Sequence, residues 1–370
     1  MNISKNKKNL IYIAEFSLPN MSAYAVHVLK MCDNFSAKHN VELIIPYSNS
    51  SYNFTKIKRD YLLKKKFIIK DIFNSKIKLN LLNRIIYSFK ILSYLKNKNC
   101  DLIISRSIIP SIILAFFDRK NILEIHTELT GITKKIFGLV YTKKVKKNLK
   151  YIVLNRKLIK ILKIDTKKTI ILEDAVEEDD FKKAKNKNIF SACAYCGSFA
   201  KGKGIELIYS LARLYPKIKF HAFGNVNTLS SDYIRENKLN NLKFKGFISY
   251  DKVTKTLPNY KILLMPYQKK VGVLIKGIDV SSYFSPLKLF EYMASGSIII
   301  ASNLKVYKNI LKHNYNSILL DPDNLNDWGK KINNIMNSKK YSFLGKNSKK
   351  KVKEFSWKKR VHQIIKFNEK

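Results

Sequence analysis

Short apolar runs with no internal alternation recur along this chain, each separated from the next by a segment of helical spacing. The runs NLIYIA (9–14), VELIIPY (41–47), DLIIS (101–105), NILEIH (121–126), YIVLN (151–155) and KTIILED (168–174) fill the first half. Between them, Ala25, Val28, Leu29 and Cys32 fall at i, i+3, i+4 and i+7, with Ser22 placed to cap that helix. Leu82, Ile85, Ile86 and Phe89 mark another helix. Strands that are apolar throughout are buried on both faces, and helices between them supply the cover. The pattern therefore predicts parallel sheets built from βα units.

The polar segment FKKAKNKN (181–188) interrupts the alternation, which then restarts. Strands are predicted at 193–195, 219–223, 242–247, 262–265, 297–301 and 317–320. Helices are predicted at 204–214, from Pro286, at 325–336, at 341–355, and after Ser356. A chain of 370 residues exceeds the ~250–300 over which one core grows. The expected organisation is a first Rossmann-like domain over 1–182, a linker over 183–190 and a second Rossmann-like domain over 191–350. A terminal helix is expected over 351–370. The fold class is thus α/β, with two doubly wound parallel sheets. Ligands of such sheets bind beyond the carboxyl ends of the strands, so the cleft between the two halves is the expected site.

Composition narrows the function classes. Apolar residues make up 46% of the chain, which excludes a wholly disordered protein. The formal charge of +44 draws the chain to anions, whether phosphorylated substrates, acidic lipid headgroups or nucleic acid. The basic residues are spread from Lys5 to Lys370 and form no single arm. No helix-turn-helix, RNP or zinc signature accompanies them, so no specific nucleic-acid partner is expected. Four cysteines are too few for a disulfide framework and fit a reducing compartment. Cys193 and Cys196 form a C-x-x-C, read either as two small core residues or as a redox or metal pair. The start, MNISKNKKN, has no apolar signal segment, and the longest apolar run (107–117) is too short to span a bilayer. A cytoplasmic protein is expected, with its basic face available to the inner side of the membrane.

Two strand-to-helix junctions carry the chemistry. The first is GSFAKGKG (197–204): glycines permit close approach of the backbone, a helix start attracts anions, and Lys203 adds a full charge. Its spacing fits neither a Walker loop nor the dinucleotide fingerprint. The second is SPLKLFEYMASG (285–296). Ser285 is expected as N-cap and Pro286 as first helical residue, leaving the N–H groups of Leu287 and Lys288 free. Gly296 closes the helix. Leu287, Leu289, Phe290 and Met293 make this helix mostly apolar, so Glu291 is enclosed and needs a partner.

Together these junctions resemble the nucleotide-sugar half of a GT-B glycosyltransferase of the retaining family 4. SLPNMSAYAVHVLKMC (17–32) resembles the first loop and helix of that group, and NILEIHT the strand that brings a histidine to the donor sugar. GSFAKGKGI is similar to its G-S-x-x-x-x-K-G turn, and SPLKLFEYMASG closely matches one subgroup. NLKFKGFIS and LLMPY extend the likeness, and FSW is similar to the start of its closing helix, which the resemblance implies returns to the first domain. The resemblance implies transfer of a sugar from a nucleoside-diphosphate sugar to an acceptor hydroxyl, with retention. It implies that Lys203, assisted by Lys288, contacts the diphosphate, that Glu291 binds the ribose hydroxyls, and that His126 touches the transferring sugar. Gly197, Ser198, Gly204, Ser285, Pro286 and Leu287 complete the donor side, and Ser22 and Ala23 the acceptor side. The acceptor class is a glycan or lipid-linked glycan of surface polysaccharide or lipopolysaccharide assembly.

Tyr283 stands where many members of the group have the first of two glutamates. No acidic cluster falls on a predicted metal-binding loop, since Asp179 and Asp180 lie beside the linker. No divalent metal and no cofactor is expected, the lysines taking that place. His27 reads as a packed helix residue. The rival classes are a basic nucleic-acid- or membrane-binding protein, an epimerase on the same fold, and an inactive scaffold.

Overall fold

Two parallel sheets organise the protein, one in each of two units. The computed structural model describes residues 7–181, 190–229, 234, 236, 238–271, 279, 281 and 283–370. Unit 1 comprises residues 1–173 together with 357–370, and unit 2 comprises 174–356. The units part at 173/174 and 356/357, where the sequence placed boundaries at 182 and 351. The expected linker falls almost wholly outside the described residues.

The sheet of unit 1 has seven strands: β1 (Asn9–Ile13), β2 (Asn40–Ile45), β3 (Ile68–Asp71), β4 (Leu102–Ser105), β5 (Asn121–Ile125), β6 (Leu149–Val153) and β7 (Thr169–Ile171). Their order is β3-β2-β1-β4-β5-β6-β7, and every pairing is parallel. Strand β3 was not anticipated. Its residues, IIKD, are half-exposed at the sheet edge and follow three lysines, so apolar continuity gives no signal there. Ile11, Ile13, Ile44 and Ile103 of the central strands pack with Tyr87, Ile91 and Leu95 of the helix Leu81–Leu95.

Six strands form the sheet of unit 2: β8 (Phe190–Cys196), β9 (Lys219–Phe223), β10 (Leu242–Gly246), β11 (Tyr260–Met265), β12 (Ile298–Ser302) and β13 (Ile318–Leu320). Their order is β10-β9-β8-β11-β12-β13, again all parallel. The chain winds outward in one direction from β8 and in the other from β11. The gap between the loops that leave these two strands is therefore the topological switch point, where open α/β sheets bind ligands. In unit 1 the same reversal lies between β1 and β4.

The last helix, Trp357–Glu369, belongs to unit 1. It packs on the helix Ala23–Phe35, with the Trp357 and His27 rings edge to face at 4.9 Å. Among the described residues, no helix is long and apolar enough to cross a membrane.

Candidate functional site

In unit 2, β8 runs into the loop Gly197–Gly204 and then into the helix Ile205–Leu214. This loop lies against the segment that leaves β11. The carbonyl of Gly202 accepts a hydrogen bond from the Gln268 N–H at 2.9 Å. A Cβ on Gly204, whose φ is +92°, would run into the Pro266 carbonyl. The Tyr195 hydroxyl donates to the Ser198 carbonyl at 2.7 Å, and the Ser198 hydroxyl oxygen accepts from the Ala200 N–H at 3.3 Å. The loop is thus held as a close turn over the switch point.

Lys288 fills the space that this turn leaves. Its ammonium lies 3.8 Å from the ring centre of Tyr195 and 5.1 Å from that of Tyr267. A side chain on Gly197 would collide with Lys288 Nζ and approach its Cε to 2.7 Å. The flexible end of the lysine could move aside, so it is the φ of +153° more than this contact that favours glycine at 197. Nζ is buried and has no hydrogen-bond partner among the described residues. Ring faces attract a cation but supply no hydrogen-bond acceptor of the strength of water or an anion. Burial pulls the Lys288 ammonium down from its ordinary range to about 7, and the charge of Lys203 pulls the same way. Lys203, half-buried, is itself lowered by burial.

Glu291 lies one turn further along the same helix and is buried. Burial raises its carboxyl to about 7, opposed by Lys288 and reinforced by the charge of Asp174. Lys203 and Glu291 are therefore both within electrostatic reach of Lys288. Two lysines and a glutamate thus meet in a buried, low-dielectric setting in which the charges of the lysines oppose each other.

The helix start differs from the expectation. Helix Leu287–Ser295 begins one residue later than predicted, and Pro286 occupies the N-cap position with no side-chain cap. The Ser285 hydroxyl oxygen instead accepts the Asp174 N–H at 3.0 Å. Capping at 285 is corrected for a local reason: the proline at the cap position puts the serine one residue too early to reach the first-turn amides. The result is a helix start without a side-chain cap, its positive end left for a ligand. Gly296 closes the helix at φ 74°, as expected. Tyr283 is buried.

Ser22, Ala23 and His126 lie in unit 1. The Ser22 hydroxyl oxygen accepts the Ala25 N–H at 3.2 Å and caps the helix that Ala23 opens. His126 follows the end of β5 and donates from Nε2 to Glu124 at 2.8 Å. Sequence reasoning missed Glu124. It is buried on β5, and its carboxylate also takes the Tyr12 hydroxyl at 2.7 Å and Arg360 Nη2 at 2.6 Å. His27 Nε2 stands 2.9 Å away. Burial pushes the Glu124 carboxyl up, but His27 and Arg360 with their hydrogen bonds outweigh it and hold the group well below the usual carboxylate range. A glutamate inside an apolar strand run was the signal that could have revealed it, since such a group needs partners. Its ion partner lies 236 residues away in sequence.

His27, Glu124 and His126 could also be read as metal ligands, for their ligand atoms lie within 4.8 Å of one another. The Arg360 guanidinium already neutralises the same carboxylate oxygen, so the group is satisfied as a hydrogen-bonded ion network. Cys193 and Cys196 are free thiols on β8. Three residues apart in a strand, they project to opposite faces, which rules out a shared ligand. Burial pushes both thiols up, Cys196 to about 12.

Residues 175–351 match the family of group 1 glycosyl transferases. An uncharacterized glycosyltransferase of Methanocaldococcus jannaschii is 24% identical over 186 residues, which make up 50% of this chain and 49% of that protein. The match thus spans about half the length of this curated relative. Among solved structures, TarM of S. aureus superposes with a TM-score of 0.76 at 12% identity, covering 100% of both chains. Anabaena HepE in complex with UDP and glucose gives 0.72 at 12% identity, covering 97% of this chain and 98% of that one. These likenesses identify the fold as GT-B.

Proposed function

The segment 175–351 belongs to the group 1 glycosyl transferases, and from that premise we propose that the chain transfers a sugar from a nucleoside-diphosphate sugar to an acceptor hydroxyl, with retention of configuration. The observation that carries the reading is Lys288, a buried ammonium without a hydrogen-bond partner at the switch point of unit 2. A diphosphate supplies the acceptors it lacks. Lys203 and the open start of helix Leu287–Ser295 add to the same positive field. Glu291 accepts hydrogen bonds from the adjoining ribose hydroxyls, which stabilise its ionised form. The Anabaena protein, solved with UDP, supports a nucleoside diphosphate as the ligand class.

When the glycosidic bond to the diphosphate breaks, negative charge builds on the leaving phosphate. Lys203 and Lys288 stabilise that charge in a partly desolvated site. In our reading they take the place of a divalent metal. The departing phosphate oxygen accepts the proton of the acceptor hydroxyl on the face it leaves, so configuration is kept without an enzymatic nucleophile. His126 contacts the transferred sugar, and Ser22 and Ala23 border the acceptor.

The acceptor we propose is a glycan or lipid-linked glycan of surface polysaccharide or lipopolysaccharide assembly, met at an anionic membrane. Leu82, Ile86 and Phe89 lie exposed along one face of the helix Leu81–Leu95. Phe89 meets the exposed Phe117, and Phe117 meets Phe116, at 6.1 and 5.5 Å between ring centres. Lys144 lies 5.3 Å from the Phe116 ring, on a helix whose Lys143, Lys146 and Lys147 are also exposed. Aromatic side chains beside lysines suit an acidic lipid surface.

A thermal-shift panel of UDP, GDP, ADP and CMP sugars tests the donor site, since a ligand of the folded state raises the melting point. One donor class is expected to stabilise the protein, and EDTA to leave transfer unchanged. A panel without any shift overturns the reading. Vesicle flotation with anionic against neutral lipid tests the membrane contact.

A further inference from the structure

The amino edge of the second sheet carries a hollow of about 460 Å³ that the proposed reaction does not use. Its walls come from three adjacent strands: Ser191 and Ala192 of β8, Lys219 and His221 of β9, and Lys243 of β10. Asn240 and Asn241, just before β10, close one side. The loop that lies against Lys288 leaves the other end of β8. At about 3.3 Å per residue, roughly 17 Å of strand separates Ala192 from Gly197, so the two sites stand at opposite edges of the sheet.

The register brings the cations together. Lys243 pairs with His221 across β10 and β9, and Ala192 with Lys219 across β8 and β9. Paired residues of neighbouring strands leave the sheet on the same face, and so do Lys219 and His221, two residues apart on one strand. Ala192 presents only a methyl group beside them, which leaves the hollow open. The described residues lining it include no carboxylate, and neither Lys219 nor Lys243 has an ion-pair partner among the described residues. Burial lowers the His221 imidazole from its ordinary range, and the charges of Lys245, Lys243 and Lys219 lower it further. Like charges side by side on neighbouring strands destabilise a sheet, so this edge gains from an anion. The walls are fixed in advance. His221 Nδ1 stands 2.7 Å from the hydroxyl of Tyr260 on β11. Asn241 Nδ2 donates to the carbonyls of Ala212, Tyr215 and Ile218 at 2.8, 3.3 and 2.9 Å.

We propose that this hollow binds the phosphate ester of a small polyol, with the phosphate between Lys219 and Lys243 and the polyol hydroxyls towards Asn240 and Ser191. The volume is that of a small-molecule site and exceeds what a bare phosphate fills. Lysine ammoniums bind phosphate as point charges and do not fix its orientation, so the neighbouring amide and hydroxyl supply the directional contacts. A soluble polyol phosphate and a phosphatidylglycerol headgroup offer the same chemistry. The site is distinct from the donor site and does not depend on the reading of the protein as a glycosyltransferase.

Histidine-labelled full-length protein, followed by NMR at fixed pH with chloride holding the ionic strength, tests this at the hollow itself. His221 is assigned by the signal lost in His221→Asn. Glycerol 3-phosphate is expected to shift the His221 signal saturably, with a dissociation constant at or below about 1 mM, and to bind several-fold more tightly than inorganic phosphate. The shift should vanish in the double variant Lys219→Met, Lys243→Met. That variant should keep the rise in melting point induced by a nucleotide-sugar donor, since neither lysine belongs to the donor site. Flotation of wild type and double variant with phosphatidylglycerol vesicles forms the second arm. Vesicle binding lost in the variant, with no response to the free ester, assigns the hollow to the lipid headgroup. Absence of both responses in the wild type overturns the proposal without recourse to any variant. Equal affinity for inorganic phosphate and the ester overturns the polyol contacts. A His221 shift unchanged in the folded double variant puts the anion elsewhere and overturns the site.

Discussion

Each unit buries a glutamate near the carboxyl edge of its sheet, and the two are pushed in opposite directions. In unit 1, burial opposes the ionised form of Glu124, but Arg360, His27, His126 and Tyr12 overcome it and hold the carboxyl well below its ordinary range. In unit 2, burial raises Glu291 to about 7 and lowers its neighbour Lys288 to about 7. The first network pairs its charges within the protein, leaving only Arg360 Nε of the guanidinium without a hydrogen-bond partner among the described residues. The second holds like-charged lysines together and an ammonium with no hydrogen-bond partner. A satisfied buried network fixes geometry, whereas an unsatisfied one costs stability that a ligand restores.

The hardest test of this contrast is Arg360→Met. It strands an ionised Glu124 with its main counter-charge removed, and breaking a buried pair costs about 3–5 kcal/mol. The urea midpoint should fall accordingly. A change below about 1 kcal/mol would mean that the Glu124 network is not the anchor described here. Next come Lys203→Ala and Glu291→Ala, each expected to lower turnover by about an order of magnitude or more, equivalent to about 1.4 kcal/mol of barrier. Lys288→Met should act in two directions. It should raise the melting point of the ligand-free protein, because an unpaired buried charge is gone, and abolish the rise induced by a nucleoside diphosphate. A ligand-free protein destabilised by this change would count against the unsatisfied site.

The pH dependence should carry opposite signs in the two units. Glu124 has a folded value below its unfolded one, so its contribution is present above the ordinary glutamate range and is lost as pH falls through the depressed value. Glu291 is raised, so its contribution is present below about 4.5 and is lost as pH rises towards about 7. Lys288 is lowered, so its cost is full below about 7 and is relieved as pH rises towards about 10.5. The contribution of unit 2 to ligand-free stability should therefore pass through a minimum near neutrality. Glu291→Gln should remove the acid arm and Lys288→Met the alkaline arm. Diphosphate affinity should weaken above about pH 7 as Lys288 loses its proton. Calorimetric binding and melting measured across pH would show both effects.

Much of this architecture was legible in the sequence because buried parallel strands announce themselves as unbroken apolar runs. The runs at 9–14, 101–105 and 121–126 became β1, β4 and β5. Edge strand β3 carried no such mark. The nearness of Lys203, Lys288 and Glu291 was legible because two strand-to-helix junctions pack glycine, lysine and a helix start into a few consecutive residues. The two aromatic rings beside Lys288 were not, since Tyr195 lies on β8 and Tyr267 just beyond β11, and only the strand order reveals that these strands are adjacent. Glu124 was half-legible: its burial was implied by NILEIH, but neither Tyr12 nor Arg360 is near it in sequence.

The smallest expected effect separates two serines that look alike on paper. Ser22 and Ser285 each precede a site helix, and each reads as an N-cap. In unit 1 the Ser22 side chain does cap, so Ser22→Ala should cost about 1 kcal/mol, as for other caps. In unit 2 the Ser285 hydroxyl binds the Asp174 amide instead, so Ser285→Ala should cost about 0.5–1.5 kcal/mol from that hydrogen bond alone. The two melting shifts will then be similar, and they do not discriminate. Ligand response does. Because the helix beginning at Leu287 has no serine cap to lose, Ser285→Ala should leave the diphosphate-induced rise in melting point nearly unchanged. If that rise instead grew on removing Ser285, the hydroxyl would have been competing with the ligand for the first-turn amides. The helix start would then be closed in the ligand-free protein, as it is in unit 1, and the contrast between the two units would reduce to their charges.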